Sequence, residues 1–284
     1  MVKEELRDRF AEQGFVVVPD LLSADELKSF GTAVDEGVHV RCADDPRSLD
    51  EKTTYEQSFQ QCINLWEDRP DVRPLTFHPA ITAAAAGLLG VDSVRLWHDQ
   101  ALYKEAGGRG TDPHQDQPYW PITESNTITA WIPLVDVSLE MGAMGYVPGS
   151  HRFGVRKFAN IFSAQGFDLA HGPEAQGVEP VFVPVRAGDV AFHHGLTIHT
   201  AGPNLTGDVR RAHTAIFFAD GSTRAERPRA HPSVDRGRIE VGAPIASVFT
   251  PVAHPRTAGD LPGTPPPIEQ PFPGWPGWDW SMKP

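Results

Sequence analysis

The chain has 284 residues, 40% of them hydrophobic and 22% charged, and a formal net charge of −12 from 25 Lys+Arg against 37 Asp+Glu. These proportions describe a globular protein, and at this length roughly 70–75% of the unfolded chain's surface can be buried. The acidic balance argues against nucleic acid or an anionic membrane as main partner, because both require a basic face. Two cysteines, Cys42 and Cys62, are too few for a disulfide-stapled secreted scaffold and read as free thiols in a reducing compartment. The opening MVKEELRDRF is too charged for the apolar stretch of a signal peptide. The longest apolar run, Ala80 to Val91, falls short of the roughly 20 residues of a membrane span. A cytoplasmic protein, monomeric or homodimeric, with a small-molecule partner is expected.

In chain order, Leu6 to Gln13 is amphipathic and stops at Gly14, a C-cap residue type. Phe15-Val16-Val17-Val18 reads as a short buried strand closed by Pro19. Ser23 and Glu26 form a capping-box pattern ahead of a helix carrying Leu27, Phe30 and Val34 at helical spacing. A second helix is expected over Pro79–Leu89. From residue 91 the texture changes. Val94–Tyr103, Thr127–Val137, Pro180–Val185, Asp189–His193 and His213–Ala219 are rich in β-branched and aromatic residues and separated by Gly and Pro turns. Such strands suggest a mainly β, cupin-like jelly roll with flanking helices. The expected organisation is one domain over 1–284: a helical support over 1–90, a jelly-roll core over 91–220 and a Pro-rich extension over 221–284. Within 255–284, the tail is expected to order only where Trp275, Trp278 or Trp280 docks.

Two segments carry chemistry. In Thr111-Asp112-Pro113-His114-Gln115-Asp116-Gln117, His114 and Asp116 are two apart, and on an extended strand such residues share a face. One imidazole and one carboxylate suit a borderline divalent metal such as Fe(II). The second segment holds His193, His194 and His199, then Arg210 and Arg211. A third ligand from here completes two histidines and a carboxylate, the triad of non-haem Fe(II) oxygenases. A strand ending in histidine, a turn and a returning strand opening with arginine set a guanidinium across from the imidazole. That cation suits a bidentate carboxylate partner. Adjacent strand residues point to opposite faces, so only one of Arg210 and Arg211 can reach the pocket.

The set His114-Gln115-Asp116, Trp131, Val147-Pro148-Gly149-Ser150-His151, and His199 followed by Gly202-Pro203-Asn204 and Arg210 resembles the phytanoyl-CoA dioxygenase family of Fe(II)- and 2-oxoglutarate-dependent oxygenases. The resemblance covers about residues 5–220, including Gly14 to Ser23. It implies a double-stranded β-helix, with His114, Asp116 and His199 as iron ligands and Arg210 on the far carboxylate of 2-oxoglutarate. Gln100 and Trp131 fall where related members line the co-substrate pocket. Members often carry Ser two residues after the distal histidine; here Ala201 stands there, after Thr200. Halogenating relatives replace the carboxylate by a small residue, so Asp116 implies that this chain is not a halogenase.

The expected activity is oxidation of a small metabolite or natural-product intermediate by O2, most simply hydroxylation, with release of succinate and CO2. No side-chain acid or base beyond the metal centre is required. His98, Tyr103, Tyr119 and Trp120 are the candidate substrate residues. Arg152, Arg156 and Lys157 form a basic cluster able to meet an acidic substrate group, and His151 reads as structural or near the entrance. The alternatives are a non-enzymatic jelly-roll binding protein and a cupin-type metalloenzyme that does not use 2-oxoglutarate; neither gives Arg210 a duty.

Overall fold

The computed structural model describes residues 2–156, 179–226, 231–257 and 259–267. Lys157 and the three tail tryptophans, Trp275, Trp278 and Trp280, lie outside the described residues. Six helices are described: α1 (Glu4–Gln13), α2 (Ala24–Cys42), α3 (Leu65–Asp68), α4 (Arg73–Thr76), α5 (Pro79–Leu89) and α6 (Pro232–Asp235). The strands are β1 (Phe15–Val18), β2 (Gln60–Ile63), β3 (Val94–Lys104), β4 (Thr111–His114), β5 (Thr127–Pro133), β6 (Met144–Tyr146), β7 (Val181–Val183), β8 (Val190–His194), β9 (His199–Ala201), β10 (Arg210–Ala219) and β11 (Val252–His254). A major sheet runs β1-β8-β5-β10-β3-β11 with β2 also on β3, and a minor sheet runs β4-β9-β6-β7. Every pairing is antiparallel. This is the mainly β, jelly-roll architecture expected from the strand texture.

Local chemistry sets the boundaries. The helix C-cap Gly14 is left-handed at φ 81°, and its N–H reaches Phe10 O. Ser23 and Glu26 form the reciprocal capping box at the start of α2. α5 begins at Pro79 and ends before left-handed Gly90. None of the described helices is long and apolar enough to cross a membrane.

Strand alternation divides the interior into distinct cores. Ile128, Ala130 and Ile132 of β5, Phe192 of β8 and Ala215 and Phe217 of β10 face outward and pack with residues of α1, α2 and α5. The alternate residues face the opposite sheet. There, Phe15, Trp131, Tyr146, Ala191 and Ala212 make one apolar cluster. Trp97, Trp120, Ile216, Phe218, Val234 and Ile245 make another, drawing on residues of the 231–257 stretch. A strip of histidines belongs to neither apolar cluster.

Candidate metal centre and co-substrate pocket

His114 on β4 and His199 on β9 are register partners across the minor sheet, with ring centroids 4.2 Å apart. β4 is the sheet's edge strand, which is where Pro113 can be tolerated beside a ligand. His114 Nδ1 lies 2.9 Å from Asp112 O, and His199 Nδ1 lies 3.0 Å from Thr197 O. A carbonyl only accepts, so Nδ1 carries the proton in both rings and each Nε2 keeps its lone pair. Both Nε2 atoms converge on Asp116 Oδ1, at 3.8 and 3.7 Å. One ligand atom from each of His114, Asp116 and His199 lies within 4.8 Å of the others, a spacing that can hold a metal ion. The convergence of His114 and Asp116 differs from the expected strand geometry: β4 ends at His114, and Asp116 has helical φ/ψ (−74°, −43°) ahead of a short 3-10 turn, Gln117–Tyr119.

Electrostatics suit ligation. Burial pushes His114 and His199 down to about 4, so both imidazoles are neutral near neutral pH. Burial alone would raise the Asp116 carboxyl, but His199, His193 and His114 outweigh it and hold the group well below the usual carboxylate range. The second carboxylate oxygen, Oδ2, is met by Thr129 Oγ1 at 2.9 Å and His193 Nε2 at 3.2 Å. His194 faces away from the cluster, where its Nδ1 accepts from Leu196 N and its ring lies 5.6 Å from that of His151.

Arg210 opens β10 and is 1% exposed. Its guanidinium lies over the Trp131 ring at 5.6 Å and donates to Gly142 O at 2.7 Å. Among the described residues, its buried Nε has no hydrogen-bond partner and no carboxylate forms an ion pair with it. Burial pulls it down to about 10. Trp131 Nε1, Tyr146 Oη and Thr111 Oγ1 are likewise buried without a partner. Buried polar groups are normally satisfied, so these atoms, among the described residues, are free to meet a polar ligand beside Arg210. Arg211, on the other face, pairs with Asp35 of α2.

Gln100 lies between Thr214 and Ile63 in register, and its Oε1 accepts from Gln61 Nε2 at 2.5 Å. Gln61 in turn accepts from the Tyr55 hydroxyl at 3.0 Å. His98 meets Trp120 edge-on at 6.4 Å and stacks with His231 at 5.9 Å, while Tyr119 meets His114 edge-on at 6.1 Å. Tyr119 thus lies against the candidate triad, and His98, Trp120 and His231 contact one another in a row. Tyr103, expected with them, lies elsewhere: its hydroxyl donates to Asp35 on the outer face of β3. His151 is structural, its Nε2 on Ala11 O at 3.2 Å. Arg152 donates to Glu12 O, and Arg156 stacks on Phe153 at 5.4 Å. Sequence reading missed Tyr146, Thr111, Thr129, Gln61 and His231. Only Thr129 carries a usable signal, since it lies two residues before Trp131 on one strand and therefore on the same face.

A family model described as Phytanoyl-CoA dioxygenase (PhyH) matches residues 10–212. The chain is 29% identical over 136 residues to the "Probable alpha-ketoglutarate-dependent hypophosphite dioxygenase" of Stutzerimonas stutzeri, covering 45% of this chain and 46% of that protein. It is 28% identical over 181 residues to "Phytanoyl-CoA dioxygenase domain-containing protein 1" of Rattus norvegicus, covering 58% and 60%. The chain thus spans less than two thirds of either relative's length. Among solved structures, the alpha ketoglutarate-dependent carbocyclase SnoK from nogalamycin biosynthesis superposes with TM-score 0.73 at 32% identity, covering 88% of this chain and 96% of that one. The epimerase SnoN in complex with Fe3+, alpha ketoglutarate and nogalamycin RO gives 0.70 at 28%, covering 88% and 98%.

Proposed function

Because the chain belongs to the phytanoyl-CoA dioxygenase family of Fe(II)- and 2-oxoglutarate-dependent oxygenases, we propose that it oxidises a small natural-product-type molecule, with hydroxylation as the reaction. His114, Asp116 and His199 would hold the iron, since both Nε2 atoms face Asp116 Oδ1. Arg210 holds the far carboxylate of 2-oxoglutarate. The observation that carries this reading is the buried guanidinium of Arg210, without a carboxylate partner among the described residues, on the same inner face as a neutral-imidazole, ionised-carboxylate triad. A buried cation without a counter-charge is costly, and a bidentate carboxylate is the partner that offsets it. Among the alternatives, a ligand-binding jelly roll or a cupin-type enzyme without 2-oxoglutarate leaves that cation unexplained.

Bound iron and 2-oxoglutarate supply the oxidising power, with O2 as oxidant and succinate and CO2 as co-products. The chain's own residues orient and enclose. Gln61 occupies the Gln100 carbonyl, which leaves the Gln100 amide N–H as the group that would donate to the co-substrate. Trp131, Tyr146 and Thr111 offer further donors from buried positions. His98, Tyr119, Trp120 and His231 form an aromatic wall on the substrate side, suited to a flat or unsaturated ring. The carboxylate of Asp116 occupies the position that halogenating relatives leave vacant, which supports oxygenation over halogenation. The single-domain organisation over 1–284 and a cytoplasmic location belong to the same proposal.

The test is succinate release from 2-oxoglutarate with Fe(II) across a panel of polycyclic and glycosylated small molecules, with product mass recorded. Gain of one oxygen supports hydroxylation. Loss of two hydrogens indicates desaturation or ring closure and unchanged mass indicates epimerisation, and any of these overturns the hydroxylase reading. Failure of the wild type to bind 2-oxoglutarate in the presence of Fe(II) overturns the oxygenase reading itself.

A further inference from the structure

We propose that Thr129 and His193 act as a paired clamp on the second oxygen of Asp116, holding the carboxylate so that only Oδ1 is offered to the metal. The proposal rests on the oxygenase reading of the site, and concerns residues that the resemblance does not place in it.

Thr129 on β5 and His193 on β8 are direct register partners. Both belong to the alternation set that faces the interior, and both are buried, at 4% and 1% exposure. Their polar atoms converge on one acceptor: Thr129 Oγ1 donates to Asp116 Oδ2 at 2.9 Å and His193 Nε2 at 3.2 Å. Oδ1, by contrast, faces the two ligand imidazoles. A carboxylate can only accept, so the His193 proton sits on Nε2, and that nitrogen has no lone pair to give a metal. This separates His193 from His199, whose proton is on Nδ1.

The clamp is needed because of where Asp116 lies. It sits in a turn after β4 rather than on a strand, so no ladder fixes its side chain. A carboxylate free to rotate could bind through both oxygens or turn away. Two donors fixed to adjacent strands of the major sheet remove that freedom and tie the minor-sheet ligands to the major sheet. His193 is itself held, with its ring centroid 5.5 Å from Tyr146 and 4.4 Å from His199. Thr129 and His193 are therefore positioning residues, acting through Asp116.

The test uses Co(II) as a spectroscopic stand-in for Fe(II), titrated into the metal-free full chain by calorimetry and followed in its visible ligand-field bands. His193→Phe keeps the ring and removes the donor; His193→Gln restores a donor at similar reach; Thr129→Val removes the other donor at nearly constant shape. Loss of a group that orients a ligand typically weakens metal binding roughly 10–100-fold. His193→Phe is expected in that range with altered ligand-field bands, and His193→Gln is expected to recover most of the loss. Because both donors serve one oxygen, the double variant Thr129→Val/His193→Phe is expected to lose less than the product of the single losses. Wild-type Co(II) affinity in His193→Phe, no recovery in His193→Gln, or strictly multiplicative losses overturns the clamp while leaving the metal site standing. A wild type that binds no Co(II) overturns both.

Discussion

Lys104 on β3 lies directly opposite Arg210 on β10, and both side chains are fully buried. Two cations at such positions need an explanation, and their hydrogen bonds supply one. Lys104 Nζ donates to Ser58 O at 2.6 Å and to Arg109 O. A neutral amine has two N–H donors, and both are used. Burial, reinforced by Arg210 and Arg109, pushes the amine down to about 6. Arg210 therefore keeps the charge while Lys104 fixes the 105–110 loop as an uncharged donor.

A pH-dependent stability follows. The folded-state value lies below the unfolded one of about 10.4. Between them the unfolded chain binds a proton that the folded chain does not, so this residue's contribution to stability is complete only above the unfolded value. It falls as pH drops toward 6. Lys104→Met removes the effect. Its stability relative to the wild type is expected to be most favourable near pH 6.5 and to decline steadily toward pH 10, read by urea denaturation of both proteins across that range. A pH-independent difference would mean that the amine stays charged in the fold.

Much of the scaffold was legible because its long strands obey one rule. β3, β5, β8 and β10 alternate, apart from one irregularity in β3, between a mainly apolar outer face and a mixed inner face, and their β-branched and aromatic content announces them. The short strands of the minor sheet do not announce themselves by that texture. Thr111–His114, Met144–Tyr146 and His199–Ala201 are three or four residues each, and their identities answer to ligand chemistry and close packing rather than to the pleat. Gly145 shows this: a Cβ there would lie 2.9 Å from the Phe182 ring and 3.0 Å from Thr200. Parity explains the Tyr103 correction. His98 and Gln100 share the inner face of β3, so Tyr103, at odd spacing from both, must face outward. The same rule separated Arg210 from Arg211. Tyr146 and His231 reach the site through the minor sheet and the 231–257 stretch, which no local pattern relates to His114.

Gly14 joins the support to the site. Its left-handed φ favours glycine, and a Cβ there would stand 2.4 Å from His151 Nδ1 and 2.6 Å from Thr197 Oγ1. Its carbonyl accepts from Thr197 Oγ1 at 2.7 Å, two residues before His199. Gly14→Ala is expected to destabilise the fold by about 1–3 kcal/mol. At roughly 2–4 °C per kcal/mol for a chain of this size, thermal melting should shift down by several degrees. An unchanged melting temperature would show that the corner relaxes freely.

Metal binding is expected to separate His114 and His199 from His194. His114→Ala, Asp116→Ala and His199→Ala are each expected to weaken Fe(II) binding well over tenfold, because even residues behind the ligands typically account for roughly 10–100-fold. His194→Phe is expected to bind as the wild type does, since His194 lies on the other face of β8 against His151. Anaerobic calorimetric titration of Fe(II) measures all four. Near-native binding by His199→Ala would mean that another imidazole completes the triad.

The co-substrate prediction turns on strand parity at Arg210 and Arg211. Arg210 is buried over Trp131, and its hydrogen bond to Gly142 O sets the plane of the guanidinium. Arg211 is committed to Asp35 on the outer face. Removing Arg210 leaves a bound carboxylate desolvated and without its counter-charge, at about 2–5 kcal/mol, which is roughly thirty-fold to several-thousand-fold in affinity. Arg210→Ala is therefore expected to raise the KM for 2-oxoglutarate by at least that lower factor while Fe(II) affinity stays near the wild-type value. Arg210→Lys is expected to recover little, because an ammonium cannot make two parallel hydrogen bonds to a carboxylate. Arg211→Ala is expected to leave the KM unchanged and to lower stability by about 0–1 kcal/mol, as for a partly exposed ion pair. Succinate formation against 2-oxoglutarate concentration, measured uncoupled where no substrate is supplied, reads all three variants. A defect in Arg211→Ala with none in Arg210→Ala would place the co-substrate on the wrong side of β10 for this triad, and the assignment of the inter-sheet pocket would fall with it.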